Sequence, residues 1–234
     1  MQIDRNIPII HQAFTIIEVI FVLVVIGIIA MVLIPRFDDS AGRREAALQL
    51  ISDIRYTQHL AMNDDHISKT EPNWYKKRWT ILFNSDNYTD NEEAYTIFAD
   101  TGGNSTGKPD ESEIAINPLD PSRLLSGGFS GKTHLDIRKL KTDPSSFVGT
   151  KRNNLGKTYG IKKVVLSREC KLGTSKRIAF DHVGRPLKGS LSSYTSPYPS
   201  VNKIITKRCK ITLTDKNDKN ISIYIEPETG YAHL

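Results

Sequence analysis

The sequence lacks the side-chain clusters on which most enzymes depend. No nucleophilic serine or cysteine motif is visible, and the 234 residues include only two cysteines. Residues Gly102–Lys108 match the glycine and lysine positions of a phosphate-binding loop, but Pro109 stands where a magnesium-binding Ser or Thr is required. These absences argue against an enzyme, a nucleotide site and a resident cofactor. The six histidines show no metal-ligand spacing and are His11, His59, His66, His134, His182 and His233.

Charge is almost absent from one stretch near the N-terminus. Between Phe14 and Ile34, the run FTIIEVIFVLVVIGIIAMVLI holds a single charged side chain, Glu18. As an α-helix this run is about 31 Å long, close to the roughly 30 Å thickness of a bilayer core. The alternatives are a buried core helix and a cleaved secretory signal peptide, but the run is too long for either. We expect a single-pass transmembrane helix over residues 14–35, which the flanking charges do not orient.

Beyond Pro35 the pattern becomes that of an amphipathic helix over residues 36–62. Small and aliphatic residues recur at helical spacing, and Arg44, Asp53 and Arg55 are assigned to the opposite face. We expect one long helix from about Phe14 to about Met62, kinked near Pro35, with its second half packed against a folded domain. The expected apolar positions are Ala47, Leu50, Ile51, Ile54 and Ala61.

Residues 63–234 have the pattern of a β-rich domain. Two stretches rich in Gly, Pro and Ser, Thr101–Gly131 and Gly184–Ser200, predict loops, and Asp215–Asn220 predicts a hairpin loop. The expected fold class is α+β, with a long N-terminal helix, transmembrane and then amphipathic, packed on an antiparallel β-sheet domain. The candidate strands are Arg78–Phe83, Tyr95–Phe98, Ile161–Leu166, Arg177–Val183, Arg208–Thr214 and Ile221–Ile225.

The segment Ala13-Phe14-Thr15-Ile16-Ile17-Glu18 resembles the processing site of type IV prepilins and pseudopilins. In that family a short polar leader and a small residue precede Phe-Thr-x-x-Glu and an apolar run. The resemblance implies a leader over residues 1–13 and cleavage by a prepilin peptidase between Ala13 and Phe14, although family members usually have Gly at the position of Ala13. Pro35 also matches the family, where it kinks the long helix.

Glu18 takes its expected role from the same resemblance. Cleavage before Phe14 creates an α-amino group four residues from the Glu18 carboxylate. In the family this amine is methylated, and the carboxylate pairs with the amine of a neighbouring subunit in a filament. A carboxylate in a membrane helix costs a few kcal/mol unless it is paired. The alternative is that Glu18 lies at the headgroup interface and reaches water.

A second resemblance lies in the C-terminal half. Segment Arg177–Pro186 looks like the strand-then-glycine motif of the GspH/FimT family of minor pseudopilins, and the end Glu228–Tyr231 resembles that family's last hairpin. Some FimT-like proteins bind DNA through a Gly-Arg-x-Arg motif in this last segment. Here Gly230 is followed by Tyr231-Ala232-His233, without arginine, so that DNA site is not carried over.

The two resemblances imply a minor pseudopilin of a type II secretion, type IV pilus or DNA-uptake machine. Its expected partners are other pilin or pseudopilin subunits, the prepilin peptidase, an inner-membrane assembly platform and membrane lipid, with DNA as a further partner. Such a protein is anchored in the inner membrane with its C-terminal domain in the periplasm. The rival hypothesis is a single-pass anchored periplasmic binding protein that never enters a filament.

The periplasmic location implied by the resemblance is oxidising, so we expect a disulfide between Cys170 and Cys209. Cys209 alternates with Ile211 and Leu213 on a predicted strand and should therefore point inward. The alternative is two separately buried thiols.

Positive charge is concentrated in residues 132–220, which hold 21 Lys and Arg against 6 Asp and Glu, whereas residues 63–131 hold 6 against 12. A basic surface of this kind favours weak, salt-sensitive DNA binding, to which Tyr194 and Tyr198 would add stacking. The alternatives are solvated lysines and docking on acidic partner subunits. The residues assigned to DNA are Lys162, Lys163, Lys207, Arg208 and Lys210.

Four residues of the first predicted loop have the hard oxygen ligands that calcium prefers. They are Asp100, Asn104, Asp110 and Glu113, and their spacing is not that of an EF-hand. The four residues are candidate calcium ligands, and the alternative is a solvated acidic loop.

Overall fold

The computed structural model describes residues 15–33, 39–64, 67–102, 106–198 and 203–234. The chain divides into two compact units, Met1–Asp38 and Asp39–Leu234. The first unit contributes one described helix, and the second contains the folded α+β domain.

Helix α1, Ile16–Leu33, is apolar all round and carries Glu18 as its one charged residue. Its large apolar side chains between Ile16 and Ile29 are mostly exposed, with exposed fractions between 49% and 81%. Among the residues that the structure describes, no helix is long and apolar enough to cross a membrane. Phe14, Ile34 and Pro35, at the ends of the predicted run and at the predicted kink, lie outside the described residues.

The strands of the second unit form two four-stranded antiparallel sheets and a separate hairpin. The first sheet has the order β2-β1-β6-β7 and the second β10-β9-β8-β5. The hairpin pairs β3, Ile116–Asn117, with β4, Asp120–Leu124. In the first sheet lie β1 (Thr80–Asn84), β2 (Ala94–Phe98), β6 (Arg177–Phe180) and β7 (Pro186–Lys188), and in the second β5 (Ile161–Leu166), β8 (Cys209–Asp215), β9 (Asn220–Ile225) and β10 (Ala232–His233).

Helix α2, Asp39–Asn63, lies against strands of both sheets and, with the short helix α4 (Leu155–Tyr159), covers the core. A further short helix, α3, spans Lys139–Thr142. The helical spacing of apolar residues in α2 gives it one face to bury. All five predicted apolar positions are buried, and they join a core with β1, β2, β5, β6, β8 and β9. This helix replaces the second half of the predicted long helix, whose junction at residues 34–38 lies outside the described residues.

All six predicted strands are confirmed, with ends shifted by a few residues or fewer. The predicted hairpin between β8 and β9 is confirmed too, with Thr214 opposite Asn220. Four strands were not predicted: β3, β4, β7 and β10. Each has two to five residues, and β4 is an exposed Asp-Pro-Ser-Arg-Leu segment without alternating apolar residues. Strands as short as these leave little periodic signal in a sequence.

Candidate functional site

Glu18 lies in the first turn of α1 and its side chain is exposed. Its backbone amide donates to the carbonyl of Thr15 at 3.1 Å and to the Thr15 hydroxyl at 3.3 Å, which caps the helix. Within the described part of the chain the Glu18 carboxylate has no hydrogen bond or ion pair. It is therefore free to meet a partner outside these residues. The predicted processing residues Ala13 and Phe14 lie outside the described residues.

Cys170 and Cys209 form a disulfide, as the sequence predicts. Both are fully buried. The amide of Cys170 donates to the carbonyl of Ser167 at 3.1 Å in the turn after β5, and Cys209 opens the neighbouring strand β8. Cys209, Ile211 and Leu213 share the inward face of β8, so the alternation that pointed Cys209 inward is correct.

The five residues assigned to DNA do not form one uniform basic surface. Lys162 pairs with Asp218 at 2.9 Å, and Arg208 pairs with Glu226 at 2.7 Å. Lys163 and Lys210 are exposed on the second sheet, on β5 and β8, and Lys207 lies in a separate cleft. Two of the five charges are therefore neutralised within the chain.

The tyrosines expected to stack on bases differ from one another. Tyr194 is almost fully buried, and its hydroxyl donates to the carbonyl of Lys188 at 3.0 Å, so its assignment to base stacking is wrong. Tyr198 is exposed, but the guanidinium groups of Arg78 and Arg185 lie 5.1 and 5.2 Å from its ring centre. The Tyr198 ring is thus already in contact with two cations of this chain.

In the predicted calcium loop, two carboxylates accept hydrogen bonds from backbone amides of the same loop. Asp100 accepts from the amide of Gly107 at 2.5 Å, while Glu113 accepts from the amides of Gly102 at 2.5 Å and Asp110 at 2.7 Å. Burial raises the pKa of Asp100. Asn104 lies outside the described residues, and among those described no cluster of three or more His, Cys, Asp or Glu is arranged for a metal. The calcium site stays a prediction.

A groove of about 570 Å³ lies between α2, the β3–β4 hairpin and residues 147–152. Asp53 lines it and is only 7% exposed, so its assignment to the polar face of the helix is wrong. The hydroxyl of Tyr95 donates to the Asp53 carboxylate at 2.6 Å, and burial raises the pKa of Asp53. At the hairpin tip Leu119 is 85% exposed. The groove thus combines a buried carboxylate with an exposed apolar rim.

Comparison with known proteins gives no match. No protein-family model, curated protein or solved structure matches this chain.

Two glycine turns from different sheets meet on α2. The amide nitrogen Nε2 of Gln58 donates to the carbonyl of Gly184 at 2.8 Å and to that of Thr229 at 2.6 Å. Gly230 has a φ of +65°, and a Cβ there would lie 2.4 Å from the Gly184 carbonyl oxygen. The turns belong to the two segments, Arg177–Pro186 and Glu228–Tyr231, that resemble the GspH/FimT family.

Asp181 organises the first of these turns. Its fully buried carboxylate accepts from the amides of Val183 at 3.1 Å and Arg185 at 2.8 Å, and from Nε of Arg185 at 2.8 Å. The Asp-x-x-Gly-Arg segment is recognisable in the sequence, but its contact with Gln58 is not. No local sequence pattern marks Gln58, because its two partners lie far along the chain. Gly184 is 126 positions after Gln58, and Thr229 is 171 positions after it.

Proposed function

We propose that this chain is a minor pseudopilin, a structural subunit that is anchored by its N-terminal helix and assembles through it. The observation that carries the proposal is α1, whose apolar side chains are exposed on every side while one carboxylate, Glu18, has no partner among the described residues. Exposed apolar surface of this extent is unfavourable in water and requires lipid or neighbouring helices around it.

The lone carboxylate favours neighbouring helices as part of that cover. In lipid alone Glu18 would be an uncompensated charge, whereas a filament offers it the α-amino group at Phe14 of an adjacent subunit. The apolar sequence from Phe14 to Ile34 has the length of a membrane span when wholly helical. The proposed subunit is thus held in the inner membrane before assembly. It joins a filament when Glu18 pairs with the α-amino group of a neighbouring subunit.

The second unit supports the same proposal. A buried face on α2 packs the helix against two antiparallel sheets. The pilin-like resemblance implies a helix packed on an antiparallel β-sheet domain, and this packing supports that part of it. The two GspH/FimT-like segments contact each other through Gln58 and Gly230, so the residues of the second resemblance belong to one structural feature. The Cys170–Cys209 disulfide is in keeping with the proposed periplasmic location.

The proposed partners follow from this role. They are the prepilin peptidase, which cuts before Phe14, an inner-membrane assembly platform, and other pseudopilins of a secretion, pilus or DNA-uptake machine. The role is structural and requires no catalytic cluster.

N-terminal sequencing of protein extracted from membranes tests the proposal. We expect a mature chain that begins at Phe14. Ala13→Gly should be cut like the wild type, whereas Ala13→Arg, which places a large cation at the cleavage site, should stay uncut. A wild-type chain that still begins at Met1 would contradict the pseudopilin proposal and would favour the anchored periplasmic binding protein.

Non-specific DNA binding is a second proposed activity, supported by the outer face of the second sheet. Lys163 and Lys210 lie there without ion-pair partners in the described residues, and Lys210 stands opposite Tyr224 of β9. Gel shifts with full-length protein at about 50 mM salt, where phosphate-driven binding is strong, test it. Lys163→Glu/Lys210→Glu should lose the shift, whereas Lys216→Glu/Lys219→Glu, in the β8–β9 turn, should keep most of it. No shift by the wild type would leave only the structural role.

A further inference from the structure

A basic cleft, defined by Arg168, Lys171, Lys188 and Lys207, lies beside the disulfide. Its volume is about 520 Å³, and its remaining lining residues are Glu169, Leu172, Gly173 and Thr206. The cleft is separate from the groove at Asp53, with which it shares no lining residue.

The disulfide holds most of these cations together. Arg168 and Lys171 flank Cys170, and Lys207 lies two residues before Cys209, so the covalent bond between the cysteines fixes the two segments that bear them. The fourth cation, Lys188, lies at the end of β7 and therefore belongs to the first sheet, whereas β5 and β8 belong to the second. Four cations from three chain segments therefore line one cleft.

These four charges are not neutralised by ion pairs. None of them has a salt bridge among the described residues, whereas nearby Lys176 pairs with Glu93 and Arg208 pairs with Glu226. Like charges held around one cleft repel each other, and an anion between them relieves the repulsion.

Glu169 is the one carboxylate that lines the cleft. A hydrogen bond from the Ser167 hydroxyl lowers its pKa, and its own backbone amide, Lys188 and Lys207 lower it further. Its charge offsets one of the four cations, so the cleft keeps a net positive charge of about three at neutral pH.

We propose that the basic cleft binds the phosphate groups of a diphosphate-bearing ligand. Arg168 presents a planar guanidinium fork suited to two phosphate oxygens, and the three lysines supply mobile ammonium donors. The Thr206 hydroxyl adds a neutral donor at the wall. Leu172 offers an apolar contact for the organic part of the ligand, and a Cβ on Gly173 would meet no atom within 4 Å, so the backbone there leaves the approach open.

The diphosphate can come from a soluble ester or from a lipid headgroup. Both present adjacent phosphate oxygens to the same four cations. The proposal is independent of the pseudopilin role, since it concerns binding by the second unit and not assembly.

Calorimetric titration of full-length protein in nonionic detergent with inorganic pyrophosphate at about 50 mM salt tests the proposal. Lys171→Ala/Lys207→Ala changes two exposed side chains, and we expect its Kd to be at least about tenfold weaker than that of the wild type. Lys216→Ala/Lys219→Ala removes the same charge from the β8–β9 turn and should change the Kd by less than about twofold. Equal affinity of the two double variants, or no binding by the wild type, would overturn the proposal.

Glu169→Gln provides a test of opposite sign. Removal of the one carboxylate should tighten pyrophosphate binding about threefold or more, which a variant with damaged folding would not do. Co-sedimentation with vesicles that contain a diphosphate lipid, compared with neutral vesicles, separates the two sources of the ligand. A single-stranded oligonucleotide that binds through Lys171 and Lys207 while pyrophosphate does not would replace the diphosphate proposal with nucleic-acid binding.

Discussion

Helices α1 and α2 follow one another in the sequence but differ in where their apolar side chains lie. In α2 a single apolar face is buried on two sheets of the same chain. In α1 apolar side chains are exposed on all sides. The apolar side chains of α2 are therefore buried within its own unit, whereas those of α1 are mostly exposed in the described residues.

The same contrast holds for the one carboxylate that each helix places among apolar residues. Asp53 of α2 is buried and accepts a hydrogen bond from Tyr95 within its own domain. Glu18 of α1 has no such partner among the described residues. Substitutions at these two positions should accordingly separate assembly from stability.

The largest effect is expected at Glu18. Glu18→Ala and Glu18→Gln should abolish filament assembly, because each removes the charge that we propose pairs with the α-amino group of a neighbour. Membrane insertion should persist, since a charge within the apolar helix is removed. Filament recovery by shearing or crosslinking measures the loss, and Glu18→Asp, which keeps the charge, should assemble in part.

Thermal unfolding of the second unit supplies the control for Glu18. Both variants should unfold at the wild-type temperature, because the Glu18 side chain makes no hydrogen bond or ion pair in the described residues. Normal assembly by Glu18→Gln would contradict the proposed ion pair and weaken the contrast between the helices.

A large loss of stability is expected on the buried face of α2. Leu50 is fully buried, and Leu50→Ala should lower the free energy of unfolding by about 3 kcal/mol through lost burial and a residual cavity. Leu48, on the same helix, is 49% exposed, so Leu48→Ala should cost less than about 1 kcal/mol. Denaturant titration measures both, and equal losses would show that α2 does not bury one face.

A smaller loss is expected where α2 holds the two glycine turns. Gly230→Ala should cost about 2 kcal/mol more than Gly173→Ala, because the new Cβ at Gly230 would clash with the Gly184 carbonyl. Both glycines have positive φ, +65° and +61°, but a Cβ at Gly173 meets nothing within 4 Å. Backbone strain is thus matched, and the difference in unfolding free energy isolates the contact.

A modest gain in stability at pH 7 is expected for Asp53→Asn, which removes a buried charge. Burial raises the folded pKa of Asp53, so the folded state holds this proton more tightly than the unfolded state. Stability should therefore fall as the pH rises from about 3.9 through the raised folded pKa, and stay low above it. Asp53→Asn should remove this slope and differ little from the wild type at pH 3.

Tyr95→Phe and Asp53→Asn together form a double-mutant cycle. In the wild-type background it removes the hydroxyl that donates to Asp53 and should destabilise the domain by about 1 to 2 kcal/mol. In the Asp53→Asn background the loss should be smaller, since a neutral acceptor replaces a charged one. Identical losses in both backgrounds would show that the Asp53–Tyr95 bond is not the relevant contact.

Strong periodicity made the core of the fold predictable. The spacing of Leu50, Ile51 and Ile54 predicted the buried face of α2. Alternation along Ile221–Ile225 predicted β9, and the hairpin loop Asp215–Asn220 predicted its pairing with β8. The hairpin β3–β4 and strand β10 could not be found in this way, because they are short and contain no alternating run of apolar residues.

The assignment of Asp53 shows how residue type can mislead. Its charge placed it on the polar face, yet it lies three residues after Leu50 and four before Thr57, at the spacing of the buried stripe. The position, and not the residue type, was the better guide. Tyr194 was misassigned for a related reason, since a tyrosine in a Gly- and Ser-rich segment gives no sign of the backbone carbonyls that bury its hydroxyl.

The single side chain of Gln58 also has a mechanical consequence. Its two hydrogen bonds, at 2.8 and 2.6 Å, end on turns that belong to different sheets. A pull on α2 would therefore reach turns of both sheets through the same side chain.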